Sequence, residues 1–196
     1  SYLAVLYDYL HQELYNYHVI QADETPVLVN RDGRSAGSKS YMWVYRSGHL
    51  YTDKQIVLYD YHKTRNCSHP REFLCNYSGI CVTDGYQVYH TIEKECEDLQ
   101  IAGCWVHARR KFDVALTVIP KAHRNKSDAF LVIKQIQAIY REEGKLNELS
   151  SKERLMQRQL VIKPLVDALF AYLKKMEPTV PASGQLRKAY TYILNQ

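Results

Sequence analysis

Residues 79–85, Gly79-Ile80-Cys81-Val82-Thr83-Asp84-Gly85, decide how the rest of the chain is read. The run is short, apolar and partly β-branched, which predicts a buried strand. It ends on an aspartate, and Gly85 follows where the chain must turn. On its N-terminal side, His69-Pro70-Arg71-Glu72-Phe73-Leu74 predicts a short helix with Pro70 at a first helical position. On its C-terminal side, Ile101 to Trp105 predicts a further strand and His107 to Val118 a helix. Strand and helix alternate through this part of the chain.

Further upstream the pattern differs. Leu3, Leu6, Leu10 and Leu14 recur at three- and four-residue steps, one apolar helical stripe within residues 2–16. From Val19 the period becomes two: Val19, Gln21, Asp23, Thr25, Val27 and Val29 share one strand face, and Ile20, Ala22, Glu24 and Leu28 the other. Residues 30–38 are turn chemistry. Tyr41 to Tyr45 and Gln55 to Tyr61 read as second and third strands by aromatic and β-branched enrichment. An antiparallel meander followed by β-α-β-α units predicts an α/β fold, a mixed five-stranded sheet flanked by helices.

Beyond Pro120 only helices are predicted. Phe130, Ile133, Ile136 and Ile139 have helical spacing within residues 127–140, and Ser150 with Glu153 fits a capping box. Pro164 interrupts the pattern and begins a helix running to about Met176. Pro178 and Pro181 break the chain before a last helix over residues 183–194.

The 196 residues are 46% hydrophobic and 24% charged, which excludes a disordered tail, a collagen-like rod and a small disulfide scaffold. No apolar run approaches the roughly 18 residues of a membrane span. No basic segment opens the chain, and the first cation is Arg31, so no secretory signal is expected. The absence of an initiating Met suggests a fragment of a longer chain. The five cysteines, Cys67, Cys75, Cys81, Cys96 and Cys104, contain no C-x-x-C pair, so neither a disulfide framework nor a zinc knuckle is predicted. Cys104 and His107 have ligand-like spacing but lack a second pair. A reduced, intracellular protein follows. Seventeen Tyr against four Phe is a bias that composition alone does not explain.

Charge is uneven. Residues 107–126 hold Arg109, Arg110, Lys111, Lys121, Arg124 and Lys126 against Asp113 alone, which accounts for the whole chain's net +5. A localised basic stretch points towards nucleic acid, and equally fits a solvated helix face. Two acids stand where a sheet would present them: Asp23 in mid-strand, and Asp84 at a strand end. On neighbouring strands, ~4.8 Å apart, both carboxylates would reach one divalent cation. Hard oxygen donors suit Mg²⁺ or Mn²⁺, the ions of phosphoryl transfer. The same positions also fit an aspartate that only closes a turn and another that only faces solvent.

Six motifs occur in order. They are Ala22-Asp23-Glu24-Thr25-Pro26-Val27, Tyr41-Met42-Trp43-Val44-Tyr45-Arg46, Tyr59-Asp60-Tyr61, His69 to Leu74, Thr83-Asp84-Gly85-Tyr86, and Gly103-Cys104-Trp105-Val106-His107-Ala108-Arg109-Arg110-Lys111-Phe112. The series closely resembles the transposases of the bacterial insertion sequence 66 family, from about Tyr17 to the last residue. Arg154, Arg158 and the ending Ala189 to Gln196 also resemble that family's helical part.

The resemblance implies a ribonuclease-H-like core with an Asp-Asp-Glu triad, in which Asp23 matches the first acid and Asp84 the second. The family's third acid belongs to an Asn-Asn-x-x-Glu-Arg motif that this sequence lacks, as it lacks the N-terminal DNA-binding and zinc-binding regions. The expected organisation is a leading helix (1–18), a ribonuclease-H-like catalytic core (19–120) and an all-helical insertion (121–196), C-terminally truncated and inactive alone. In the complete protein two Mg²⁺ or Mn²⁺ ions, with Asp23 bridging and Asp84 ligating one, would serve cleavage of transposon ends and their joining to target DNA. His107, Arg109, Arg110 and Lys111 are the expected DNA contacts. Transposon-end and target DNA, a second copy in a homodimer, no membrane, and a cytoplasmic, nucleoid-associated location in a bacterium complete the expectation. The alternative is a non-catalytic DNA-binding or oligomerisation remnant. Glu24 should point to the sheet face opposite Asp23, and the glutamates at 93, 95, 97, 142, 143, 148 and 153 read as surface charge.

Overall fold

A computed structural model describes residues 2–30, 33–35, 37–48, 51 and 53–196. Arg31, Asp32 and Ala36 of the expected turn, and Ser1 of the leading helix, lie outside them. The chain divides into two compact units, residues 1–104 and 105–196.

In the first unit α1 (Tyr2–Leu14) precedes a meander of β1 (Val19–Leu28), β2 (Lys39–Ser47) and β3 (Val57–His62). Then come α2 (Ser68–Leu74), β4 (Gly79–Thr83), α3 (Gln87–Glu95) and β5 (Leu99–Gly103). The sheet order is β3-β2-β1-β4-β5, antiparallel among the first three strands and parallel from β1 through β4 to β5. The mixed five-stranded sheet flanked by helices is thus as expected. Alternation selects the packed face: Ile20 and Ala22, Trp43 and Tyr45, Leu58, Cys81 and Leu99 are buried with Leu14, Phe73, Leu74, Tyr89 and Ile92 from the three helices. Tyr45 stacks on Phe73 with ring centroids 3.5 Å apart. Pro26 is tolerated in β1 because β4 pairs with β1 only as far as Gln21, leaving one flank of the later residues without a strand.

Helix α3 was not foreseen. Its residues read as a polar run because only Tyr89 and Ile92 are buried on it. The spacing of Tyr89, Ile92 and buried Cys96 was the available signal. The fifth strand also begins two residues earlier than predicted, at Leu99, and α4 at Trp105.

The second unit holds α4 (Trp105–Thr117), a 3₁₀ turn over Lys121–Lys126, α5 (Asp128–Gly144), α6 (Ser151–Gln157), a π-helical turn over Arg158–Ile162, α7 (Lys163–Met176), a 3₁₀ turn over Glu177–Thr179 and α8 (Gln185–Leu194). Phe112, Val132, Ile136, Leu169, Leu173 and Tyr190 lie in its core, with α4 packed on α5 and α8. The capping box forms as its sequence predicts, with Ser150 Oγ accepting from the Glu153 N–H and Glu153 from the Ser150 N–H. Pro164 sits at the start of α7, but the helical backbone is continuous from α6, and the wider π turn just before it accommodates the N–H that proline lacks. Among the described residues no helix is long and apolar enough to cross a membrane.

Candidate functional site

Asp23 is an exposed residue of β1, and its Oδ1 accepts the Glu24 N–H at 2.9 Å. Asp84 follows β4 directly and is half-buried; its Oδ1 accepts the Tyr86 N–H at 2.9 Å. That bond closes an Asx turn, and Gly85, at φ 74°, supplies the left-handed residue the turn needs. β1 and β4 pair Val19 with Ile80, Ile20 with Cys81 and Gln21 with Val82. The same offset carried two residues beyond the last pair would set Asp23 level with Asp84.

Gly79 maintains that register. It has φ 148°, its N–H donates to the Asp98 carbonyl at 3.0 Å, and the following Ile80 N–H donates to the His18 carbonyl at 2.9 Å. A Cβ on Gly79 would meet Tyr77 Oη at 2.5 Å and the His18 carbonyl at 2.6 Å. Any side chain here would push β4 away from β1, and Asp84 with it. Beyond β4, the Cys104 N–H donates to the Thr83 carbonyl at 2.8 Å, joining the ends of β4 and β5.

The two carboxylates are hard oxygen donors, of the kind Mg²⁺ and Mn²⁺ take. Among the described residues no group of three or more His, Cys, Asp or Glu side chains is assembled to hold a metal. The donor set therefore fits a divalent ion in part, with two protein ligands and the remaining positions left to water or substrate oxygen.

Glu24 is the neighbouring acid, and its side chain, 2% exposed, is engaged elsewhere. It follows Ala22 on the packed face. Arg65, from the β3–α2 connection, donates through Nε to Glu24 Oε1 at 2.8 Å and through Nη2 to the same oxygen. Tyr89 Oη of α3 donates to Glu24 Oε2 at 3.1 Å. Burial pushes the Glu24 carboxyl above its ordinary value, opposed by the Arg65 hydrogen bonds and reinforced by the Asp84 charge. The Arg65 guanidinium also lies over the Tyr86 ring, 3.8 Å from its centroid. Sequence reasoning placed Glu24 on the correct face but had no signal for Arg65, which lies 41 residues away.

The basic residues lie on α4, in the helical unit. Ala108, Phe112 and Ala115 point into its core, so the helical period turns Arg110 and Lys111 outwards, and both are exposed. Arg109 is half-buried and pairs with Asp113 at 3.6 Å, four residues on. Lys111 Nζ lies 5.5 Å from the Tyr192 ring centroid, and His107 is half-buried. Arg124, counted in the basic stretch, is used by the backbone instead: it donates to the carbonyls of Ile119 at 2.9 Å and Thr117 at 3.1 Å, at the end of α4.

A family model for the transposase IS66 family matches residues 1–196. The chain belongs to that family. The resemblance carried by the six motifs is thereby borne out, and IS66 membership makes a transposase-related role the coarse functional statement. Similar curated proteins from Sinorhizobium fredii are the uncharacterized protein y4qI, 26% identical over 204 residues, and the uncharacterized protein y4hP, 25% identical over 208. Each alignment covers 99% of this chain and 37% of the relative. The uncharacterized protein y4jD is 28% identical over 145 residues, covering 70% of the chain and 27% of its own length. The chain thus spans little more than a third of the length of the first two relatives.

Proposed function

We propose that this chain carries the first two acids of a ribonuclease-H-like catalytic core in a DNA transposase that cleaves transposon ends and joins them to target DNA. The observation that supports the reading is the register of β1 and β4 over Val19 to Gln21, whose offset, continued, would bring Asp23 level with Asp84. The strand order β3-β2-β1-β4-β5, three strands antiparallel and the last two parallel, supports the ribonuclease-H-like assignment. Asp23 and Asp84 would hold Mg²⁺ or Mn²⁺ as ionised carboxylates, a state that cation charge favours. Divalent ions, when bound, supply activation of the attacking oxygen and stabilisation of the leaving oxygen in phosphoryl transfer. The donor positions would be fixed because Asp23 lies within β1 and Asp84 in the hydrogen-bonded turn directly after β4.

Arg110 and Lys111 would bind DNA phosphates, fixing position without reading sequence, with Arg109 and His107 beside them. In domain terms residues 1–18 are a leading helix, 19–120 the core and 121–196 a helical insertion. The compact units divide at Cys104, so α4, in the core by this reading, packs with the helical elements. The third acid, a second copy of the chain and both DNA partners belong to the complete transposase, in the bacterial cytoplasm at the nucleoid.

A second reading, a DNA-binding remnant without catalysis, is favoured by the location of the basic residues in a compact unit other than that of the aspartates. Binding of a short fluorescent DNA duplex, followed by anisotropy in Mg²⁺ and in EDTA, separates the two. The catalytic reading predicts tighter binding in Mg²⁺ and loss of that increment in Asp84→Ala. Equal affinity in both buffers and in the variant would establish the remnant.

A further inference from the structure

We propose that Arg65 is a positioning residue for the candidate metal site, a clamp that holds the strand carrying Asp23 against the turn carrying Asp84. The inference rests on the reading of those aspartates as metal ligands, and assigns a role to a residue outside them.

The clamp has two jaws. The first is Glu24, the residue after Asp23, whose carboxylate accepts from Arg65 Nε at 2.8 Å and from Nη2. The second is Tyr86, two residues after Asp84, whose ring lies 3.8 Å from the guanidinium carbon. Each jaw is coupled to an aspartate through the main chain. The Glu24 N–H donates to Asp23 Oδ1, and the Tyr86 N–H donates to Asp84 Oδ1, both at 2.9 Å. A displacement of Glu24 or of Tyr86 therefore moves a donor that orients a candidate ligand. Tyr89 Oη fixes the other Glu24 oxygen at 3.1 Å, so the carboxylate cannot swing to follow a loosened partner.

The connection is needed because β1 and β4 stop pairing at Gln21 and Val82. Between that last pair and the aspartates no ladder pairing holds the strands at one level. Arg65 spans that interval from the packed face of the sheet. A planar guanidinium suits the task, since it can hydrogen-bond in its plane while its face stacks on an aromatic ring; an ammonium has neither the rigid fork nor the flat face.

Position and charge predict opposite results, which makes the role testable. A cation near two acids disfavours a second cation, so Arg65 acting through charge alone would weaken metal binding, and its removal would strengthen it. Acting through position, its removal weakens binding. The experiment titrates the metal-free chain with Mn²⁺, reading free ion by electron paramagnetic resonance, for the native chain, Arg65→Gln, Arg65→Lys, Tyr86→Leu, Asp23→Asn and Asp84→Asn. The clamp predicts a loss of Mn²⁺ affinity of about 10- to 100-fold in Arg65→Gln, the range for residues that orient metal ligands, and a similar loss in Arg65→Lys despite its retained charge. Tyr86→Leu, which removes only the stacking jaw, should weaken binding by less.

A second readout needs no metal. Amide hydrogen exchange in the metal-free chain should accelerate at Tyr86 and Glu24 in Arg65→Lys by about tenfold, while the paired amides of β1 and β4 keep their protection. Should Arg65→Gln fail to fold, Arg65→Lys and Tyr86→Leu carry the test. Unchanged or tighter Mn²⁺ binding in the Arg65 variants, with Asp23→Asn and Asp84→Asn abolishing it, overturns the clamp and leaves the aspartates standing. Mn²⁺ binding indifferent to both aspartates overturns the site reading itself. Unchanged exchange at Tyr86 and Glu24 overturns the clamp whatever the metal does.

Discussion

Two carboxylates, one in each compact unit, are held within the structure in different ways. In residues 1–104, Glu24 is held by a guanidinium and a tyrosine hydroxyl, and a second acid, Asp84, acts on it. In residues 105–196, Asp128 accepts hydrogen bonds from Tyr172 and Tyr190 at the first turn of α5, where the helix dipole favours an anion. Neutral donors and a helix end suffice for one isolated acid. Where a second acid lies at the end of the adjacent strand, the fold supplies a full cation to Glu24. Arginines serve both kinds of acceptor in both units: Arg158 grips Glu143 in the helical unit, and Arg34 donates to the carbonyls of Lys39 and Lys63 in the sheet unit. In the sheet unit Arg65 and Arg71 grip the carboxylates of Glu24 and Glu95. In the helical unit Arg124, Arg154 and Arg187 donate to backbone carbonyls beside helix ends. Basic charge counted along the helical sequence therefore overstates what is available to DNA.

Substitutions in the helical unit should break this contrast most severely. Asp128→Ala leaves the Tyr172 and Tyr190 hydroxyls without their acceptor and should cost about 2–4 kcal/mol. Urea unfolding read by Trp105 fluorescence in a Trp43→Phe background isolates that unit, since each unit holds one tryptophan. A cost below about 0.5 kcal/mol would mean that water replaces Asp128 as acceptor. Arg154→Ala, measured the same way, should cost about 1–2 kcal/mol through its bonds to the carbonyls of Leu146, Asn147 and Leu149; Arg154→Lys should recover little, because an ammonium cannot span three carbonyls.

Smaller effects, opposite in sign, are expected from acid titration. Burial raises the Glu24 carboxyl above its ordinary 4.5, so its folded state binds a proton more tightly than the unfolded one. Its contribution is fully present below about 4.5 and is lost as pH rises through the raised value. The Ser150 hydrogen bonds lower the Glu153 carboxyl, so its contribution is present above 4.5 and lost as pH falls through the lowered value. Relative to Glu24→Gln, the native sheet unit should lose stability towards neutral pH, read by Trp43 with Trp105→Phe. Relative to Glu153→Gln, the native helical unit should lose it towards acid. Slopes of the same sign would contradict the comparison. Least of all, Asp113→Ala should change stability by no more than about 0.5 kcal/mol, because its pair with Arg109 is an exposed i,i+4 contact.

Legibility in the sequence followed the range of the interactions. All five strands were readable because a two-residue period and β-branched runs are local, and the capping box of Ser150 and Glu153 is local too. Helix α3 escaped because a nine-residue helix burying only Tyr89 and Ile92 carries little apolar signal. Asp23 and Asp84 were singled out by motif and strand position. Their relative level depends on how β1 meets β4 at Gly79, which no local pattern states. The tyrosine bias also acquires a reason. Tyr77 Oη donates to the Tyr17 carbonyl at 2.9 Å while Tyr15 and Tyr17 donate to the carbonyls of Phe73 and Lys54. Each is an aromatic packing group whose hydroxyl also satisfies a distant carbonyl, which Phe cannot do.

Whether Asp23 and Asp84 form one metal site is read from a crystal soaked in Mn²⁺, by anomalous difference density. A shared site gives a peak within ~2.0–2.4 Å of carboxylate oxygens from both residues, lost in Asp84→Ala. Carboxylates more than ~8 Å apart, beyond the reach of one shared ion at those bond lengths, would contradict it.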